Sequence, residues 1–241
     1  MQSIRRLEYK YFVPYEGLDP LRRRFLINMQ HDAFARTMEQ FRYTVRSIYL
    51  DTPRFLFYQE KIQGVKNRKK LRVRTYNTPI PDAVAFLEIK RKYTNVICKD
   101  RVSTSLSDVP RFLDEGECAP LLKEDHTPLD VEALQKFALY VNKLNLRPVV
   151  LVSYEREALE GLDDKRLRVT FDLNVRSYPY PDLDEIYRED DMNTINDRCF
   201  ILEIKFDEWM PWWVRRIVSD FNLRQQPLSK YCEGLDRWLT L

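Results

Sequence analysis

The chain has 241 residues, 44% of them hydrophobic and 32% charged, and its formal net charge is +3. These values are typical of a globular protein with one large domain or two small ones, and they exclude a disordered chain. A net charge this small does not indicate a nucleic-acid-binding protein, because such proteins are usually strongly basic. The positions of the charged residues in the chain are therefore more informative about function than their sum.

Apolar segments, cysteines and histidines indicate which classes of protein and which kinds of metal site to expect. No run of about 18 apolar residues predicts a membrane-spanning helix, and the N-terminus lacks the apolar core of a signal peptide. Four scattered cysteines without C-x-x-C spacing are typical of reduced cytoplasmic thiols: Cys98, Cys118, Cys199 and Cys232. With only two histidines, a zinc site is not expected. Any metal should be a hard ion bound by oxygen, Mg²⁺ or Mn²⁺.

Strand-like segments dominate the chain, and no P-loop or Rossmann motif occurs among them. In chain order, strands are predicted near residues 5–13, 43–50, 69–77, 83–92, 96–104, 148–159, 165–175 and 198–206. No linker divides these segments. They therefore predict a single domain over residues 1–241, built around a large antiparallel sheet or barrel.

Helices are predicted between and after the strands. The predicted helical segments are DPLRRRFLINM, DTPRFLFYQEKI, PLDVEALQKFALYVNKLN, MPWWVRRIVSDFNL and YCEGLDRWLTL. Asp19 is the predicted N-cap of the first of them. Residues 178–197 are acidic, proline-rich and aperiodic, which predicts an exposed loop.

The charged side chains of the predicted strands share one face. Successive residues of a strand point to opposite faces. The motif L-E-x-K, which occurs at residues 7–10, 87–90 and 202–205, therefore places its glutamate and lysine together. The same alternation defines a polar face made of Glu8, Lys10, Arg72, Arg74, Glu88, Lys90, Lys99, Arg101, Arg156, Arg168, Thr170, Asp172, Glu203 and Lys205.

Two interpretations of this face remain open. Antiparallel sheets commonly have one face in water, and their Glu–Lys pairs are then ordinary cross-strand pairs of about 0.2–1 kcal/mol. Arg and Lys dominate here, however, and two cations about 4 Å apart repel by about 4 kcal/mol at an effective dielectric of 20. A bound polyphosphate would relieve that repulsion. In an eight-stranded barrel such a face would line a tunnel for a linear polyanion.

The few carboxylates on the polar face are candidate metal ligands, because phosphate chains are handled with a divalent cation. Glu203 is the best placed, and Glu8 and Glu88 are weaker candidates with a cross-strand ion pair as the alternative. Ser229 and Lys230 precede the last predicted helix, whose free N–H groups favour an anion. The alternative there is a simple N-cap by Ser229.

The ordered segments LEYKYFV, SIYLDTPRFLFY, KLRVRTY, FLEIKRK, VICKDRV, VSYEREAL, LRVTFDLNV, FILEIKF and QPLSKYCEGLDR resemble the VTC domain. That is the polyphosphate polymerase domain of vacuolar transporter chaperone complexes, in the triphosphate tunnel metalloenzyme (CYTH-like) superfamily. The resemblance covers essentially the whole chain. It implies an α+β fold in which an antiparallel eight-stranded tunnel barrel has helices packed on its outside.

The resemblance also implies substrates, a cofactor and residue roles. The substrates are ATP and polyphosphate or triphosphate, and the cofactor is Mn²⁺ or Mg²⁺, bound by Glu203. The catalytic, phosphate-binding residues are Lys10, Arg72, Arg74, Lys90, Lys99, Arg156, Arg168 and Lys230, with Ser229 near the tunnel end. Strand geometry adds Lys205 to the phosphate-binding set and Glu8 and Glu88 to the metal candidates.

We therefore expect a cytoplasmic polyphosphate polymerase that transfers the γ-phosphoryl group of ATP to a growing chain. The superfamily often has E-x-E-x-K on its first strand, and Arg6 replaces the first acid here, which favours the polymerase branch. A triphosphatase and a non-catalytic polyphosphate-binding module are the alternatives, and nucleic-acid binding is not expected. We expect neither the SPX domain nor the membrane segment of the eukaryotic subunits, so coupling to transport would need a separate membrane partner.

Overall fold

The structure is a computed structural model that describes residues 6–81, 83–93, 96–116 and 121–239. Cys118 lies outside the described residues. The chain forms two compact units. Unit one comprises residues 1–44, 154–176 and 194–229, and unit two comprises residues 45–153, 177–193 and 230–241. The prediction of a single domain stays a prediction.

All eight predicted strands are present and the pairings are antiparallel. In chain order they are β1 (Arg6–Pro14), β3 (Arg42–Asp51), β4 (Asn67–Tyr76), β5 (Val84–Tyr93), β6 (Val96–Ser105), β7 (Arg147–Gly161), β8 (Arg168–Pro179) and β10 (Cys199–Asp207). Their hydrogen-bonded order in the sheet is β1-β10-β8-β7-β3-β4-β5-β6. Two short strands that were not predicted, β2 (Met29–His31) and β9 (Asn193–Thr194), pair with β7 and β8.

Six α-helices accompany the strands in the described part of the chain. They are α1 (Leu18–Phe25), α2 (Leu56–Ile62), α3 (Val109–Glu115), α4 (Pro128–Leu144), α5 (Trp212–Asp220) and α6 (Lys230–Leu239). Five of them lie in the predicted segments, and α3 was not predicted. None has the length and apolar character that crossing a bilayer would require.

Two helix starts differ from simple expectation. Asp19 is not the cap of α1: the helix begins after Gly17, and Asp19 lies in its first turn beside Arg22. At α2, Asp51 at the end of β3 accepts hydrogen bonds from the backbone N–H groups of Phe57 and Tyr58. A carboxylate next to free N–H groups satisfies them and is stabilised by the helix dipole. The first turn of α2 is thus capped by Asp51 from the preceding strand and by the Thr52 hydroxyl, which accepts a hydrogen bond from the Leu56 N–H at 3.1 Å.

In unit one, the apolar face of the strands packs against helices. Leu202, Ile204 and Phe206 alternate with Glu203 and Lys205 along β10, and the apolar set is buried in one cluster with residues of α1 and α5. In unit two, α4 packs on β5 and β6, and α2 packs on β4. Alternation therefore sends the apolar residues toward helices and leaves the charged residues on the opposite face.

The prediction of an exposed loop over residues 178–197 is wrong in part. Residues Asp184–Tyr187 form a short 3₁₀ helix, and the Ile186 side chain is fully buried. Glu189 forms an ion pair with the buried Arg46. An acidic composition does not reveal such a single apolar anchor, because periodicity needs several residues to be visible.

Candidate functional site: two clusters of charged residues

In unit one, two copies of L-E-x-K lie on neighbouring strands. The antiparallel register of β1 and β10 places Lys10 opposite Glu203 and Glu8 opposite Lys205. On the other side of β10, Thr170 lies opposite Glu203 and Arg168 opposite Lys205. We call this group of side chains the Glu203 cluster; it comprises Glu8, Lys10, Arg156, Arg168, Thr170, Asp172, Glu203 and Lys205.

Glu203 is the buried carboxylate at the centre of this cluster. Its side chain is 5% exposed, Lys205 Nζ lies 2.5 Å from Oε1, and Lys10 Nζ lies 3.6 Å from Oε2. The Lys10 ammonium is also 2.9 Å from Glu8 Oε1. One ammonium therefore approaches both carboxylates, and the register of β1 and β10 brings Glu8 and Glu203 to neighbouring positions.

Arg156 and Arg168 each have a carboxylate partner within unit one. Arg156 donates two hydrogen bonds to the fully buried Asp172, from Nε to Oδ1 at 2.6 Å and from Nη2 to Oδ2 at 2.8 Å. Burial acts to lower the pKa of Arg156, but the charge of Asp172 outweighs it and raises that pKa well above its usual value. Arg168 forms an ion pair with Asp32, which follows β2.

Ser229 lies at the end of a segment that contacts β1 through Gln226. The backbone N–H of Gln226 donates to the Lys10 carbonyl oxygen at 2.9 Å, and Ser229 is buried three residues later. The sequence-based assignment of Ser229 to phosphate binding is untested by these contacts and stays a prediction.

In unit two, the charged residues of β4, β5 and β6 form rows across the strands. One row is Arg72, Glu88 and Arg101, and the next is Lys70, Lys90 and Lys99. Arg74 lies on β4 two residues after Arg72, on the same face. We call these seven residues the Glu88 cluster. Six of these seven side chains are cations, and Glu88 is the one carboxylate among them.

Glu88 is the focus of this second cluster. Its side chain is 1% exposed, Lys99 Nζ lies 2.6 Å from Oε1, and Arg72 Nε donates to Oε2 at 2.6 Å. Burial acts to raise the pKa of Glu88, but Arg72, Arg74 and Lys99 hold it well below its usual range. Burial lowers the pKa of Lys99 to about 8, against the opposing effect of Glu88.

Lys230 begins α6 beside this cluster. Burial acts to raise the pKa of the Tyr49 hydroxyl, but the charges of Arg72, Arg74 and, more weakly, Lys230 lower that pKa below its usual value. Lys230 and the two arginines therefore all lie close enough to the Tyr49 hydroxyl to affect its ionisation. Tyr231 stacks on Tyr49 with ring centroids 5.2 Å apart. The Tyr231 hydroxyl donates to the buried Asp51, which thus ties the start of α6 to the end of β3.

The Glu203 cluster fits a cation that arrives with phosphate better than one caged by protein alone. No group of three or more His, Cys, Asp or Glu side chains among the described residues could hold a metal ion. Mg²⁺ and Mn²⁺ sites at phosphates commonly use one or two carboxylates, with waters and phosphate oxygens as the other ligands. Glu203 and Glu8 provide that number of carboxylates. Thr170 adds a buried hydroxyl that has no hydrogen-bond partner among the described residues and could accept a hydrogen bond from a hydrated ligand.

Two residues of the site were missed by sequence reasoning. Lys70 lies in the predicted strand 69–77 and shares a strand face with Arg72, but it was not assigned to the polar face. Arg101 was placed on the polar face but not assigned to the site, and its Nε lies 3.5 Å from Glu88 Oε1. Lys70 could have been found by extending the two-residue alternation along β4, whereas Arg101 needed the strand pairing that sets it opposite Glu88.

Comparisons with known proteins agree with this architecture. The family model for the VTC domain matches residues 5–239. A solved structure, that of HpAC1 from Hippeastrum, aligns with a TM-score of 0.51 at 11% identity over 96% of each chain. That protein is described as having a dominant triphosphatase activity. At this identity the likeness shows the fold alone, and it confirms the predicted antiparallel tunnel fold with helices on the outside. A search among curated proteins found no match.

Proposed function

The chain belongs to the VTC-domain family, and on that basis we propose that it is a metal-dependent polyphosphate polymerase. In this proposal it transfers the γ-phosphoryl group of ATP to the end of a polyphosphate chain. The structural observation that supports it best is the Glu88 cluster, where six cations surround a single carboxylate. A chain of phosphates is complementary in charge to such a group of cations.

The proposed step needs positioning and charge neutralisation more than covalent help from the protein. A terminal oxygen of the acceptor polyphosphate bonds to the γ-phosphorus, and the bond from that phosphorus to the β–γ bridging oxygen breaks. ADP leaves with the electron pair. The attacking oxygen is already ionised at neutral pH, so no general base is required. Arg and Lys side chains align the phosphates and stabilise the charge that moves during transfer.

In the same proposal, Glu203 holds the divalent cation, with Glu8, which shares the Lys10 ammonium with it, as a second carboxylate. When bound, the cation would neutralise phosphate oxygens and orient them for transfer. Lys10 and Lys205, which contact Glu203 in this structure, would then be available to phosphate oxygens. The choice between Mn²⁺ and Mg²⁺, and a cytoplasmic location, stay predictions.

A triphosphatase is the second candidate, favoured by the activity described for HpAC1. Water would then replace polyphosphate as the attacking group, and the same cations would bind the substrate. The two functions differ in their products. Incubation with ATP and Mn²⁺ followed by sizing of the phosphate products separates them, because only the polymerase makes chains longer than its substrate.

Phosphate binding is predicted to depend on pH through Lys99. Its pKa of about 8 means that the side chain is charged at pH 7 and largely neutral at pH 9. We expect the affinity of the wild-type protein for tripolyphosphate, measured by calorimetry in EDTA, to fall roughly tenfold over that interval. Lys99→Arg should keep its affinity, because arginine stays charged.

The stability of the ligand-free protein should change in the opposite direction. The unfolded chain holds the Lys99 proton up to its ordinary pKa of 10.5, above the folded value of about 8. The contribution of Lys99 to stability therefore rises with pH between about 8 and 10.5.

The affinity prediction has its own test. If Lys99→Arg loses tripolyphosphate affinity across pH 7–9 as steeply as the wild-type protein, Lys99 is not the titrating group.

A further inference from the structure

We propose that Glu88 is a positioning residue whose carboxylate stands in for a phosphate group before substrate binds. It would hold the cations of the Glu88 cluster together in the ligand-free protein. This inference rests on the proposed binding of phosphate chains and assigns Glu88 a role other than metal ligation.

The contacts of Glu88 support this role. Oε2 accepts from Arg72 Nε at 2.6 Å, and Arg74 Nη1 lies 4.0 Å away. Oε1 lies 2.6 Å from Lys99 Nζ and 3.5 Å from Arg101 Nε. Both oxygens are therefore used by cations that come from two strands, β4 and β6, on either side of β5. This is the environment that an oxyanion of a bound phosphate meets.

The same contacts argue against a metal ion at Glu88. A divalent cation there would have to approach four positive side chains. The neighbours of Glu88 in the two rows of the cluster are Arg72, Arg101 and lysines, with no second carboxylate. In the Glu203 cluster, by contrast, Glu8 and Glu203 share the Lys10 ammonium.

Loss of the Glu88 charge should be compensated by phosphate. Neutral glutamine cannot offset the repulsion among the surrounding cations, so the ligand-free variant should be destabilised. A phosphate chain bound to those cations supplies the missing negative charge. Binding to the folded state alone raises stability by mass action. The variant should therefore gain more from phosphate than the wild-type protein gains.

The test is thermal unfolding of the full chain in EDTA, with and without saturating tripolyphosphate. We expect Glu88→Gln to lower the ligand-free melting temperature by roughly 10 °C and tripolyphosphate to restore at least half of that loss. Glu157→Gln is the matched control. Glu157 is 2% exposed and accepts hydrogen bonds from Arg22, in unit one. Tripolyphosphate should raise the melting temperature of Glu157→Gln only as much as it raises that of the wild-type protein, so the difference between the two persists.

Other outcomes overturn the proposal. Equal tripolyphosphate-induced shifts in Glu88→Gln and the wild-type protein would make Glu88 merely structural. A loss of Mn²⁺ affinity in Glu88→Gln, measured by calorimetry without phosphate, would make it a metal ligand. If Glu88→Gln does not fold, refolding in tripolyphosphate should rescue it, and failure of that rescue while Glu88→Asp folds also counts against the proposal. No shift in the wild-type protein would instead refute phosphate binding itself.

Discussion

Glu203→Gln is expected to lower metal-dependent phosphoryl transfer from ATP by at least about 100-fold, because it removes the carboxylate assigned to the cation. The folded structure should survive, since glutamine has nearly the same shape. Its Mn²⁺ affinity should fall in parallel, which calorimetry measures independently of turnover. Lys10 and Lys205 lose an ionic partner, so a modest fall in melting temperature is also expected.

Glu157→Gln again provides the control for Glu203→Gln. It is the same substitution of a buried carboxylate in the same unit, but Glu157 pairs with Arg22 and His31 rather than with the Glu203 cluster. We expect this control to lose stability while keeping its Mn²⁺ affinity. Undiminished Mn²⁺-dependent turnover in Glu203→Gln would refute the assignment of the metal site.

Arg156→Met is expected to lower the free energy of unfolding by about 3–5 kcal/mol, because it removes the guanidinium that neutralises the buried Asp172 carboxylate. Asp172 is fully buried and accepts two hydrogen bonds from the Arg156 guanidinium. The double variant Arg156→Met with Asp172→Asn removes both charges. It should recover most of the lost stability in urea denaturation.

A surface ion pair makes the comparison for Arg156 quantitative. Arg166 contacts Asp164 at 3.0 Å, and both side chains are at least half exposed. Arg166→Met should cost less than about 1 kcal/mol. If Arg156→Met costs no more than Arg166→Met, the buried pair does not support the fold as argued. Tripolyphosphate affinity of the stable double variant then reports whether Arg156 also binds phosphate.

Strand positions and their polar faces could be predicted from the sequence because alternation is local. Val73 and Leu71 are fully buried, and Arg72 between them reaches Glu88, as a two-residue period requires. Strand pairing could not be predicted in the same way. The register that sets Lys10 opposite Glu203 joins residues far apart in the chain, and it depends on tertiary packing rather than on local composition.

The candidate site was predicted less completely than the strands. Alternation identifies which charges share a face, and the resemblance to the VTC domain supplied their roles. The resemblance favours Glu203 as the metal ligand, but neither source reveals that Glu88 is enclosed by cations while Glu203 has a second carboxylate nearby. That difference arises from the rows across β4, β5 and β6, where Arg101 and Lys99 are contributed by a strand next to Glu88. The contact of Asp51 with Tyr231 could likewise not be predicted from the sequence, because the two residues are 180 positions apart.

The measurement that tests the central claim most directly is the length of the phosphate chains made from ATP and Mn²⁺, resolved on a gel, with ADP measured alongside. The proposed polymerase predicts a ladder of polyphosphates longer than triphosphate and one ADP for each phosphate added. Glu203→Gln should produce no ladder. Release of orthophosphate alone would establish the triphosphatase instead, and tight tripolyphosphate binding without any turnover would contradict an enzymatic role.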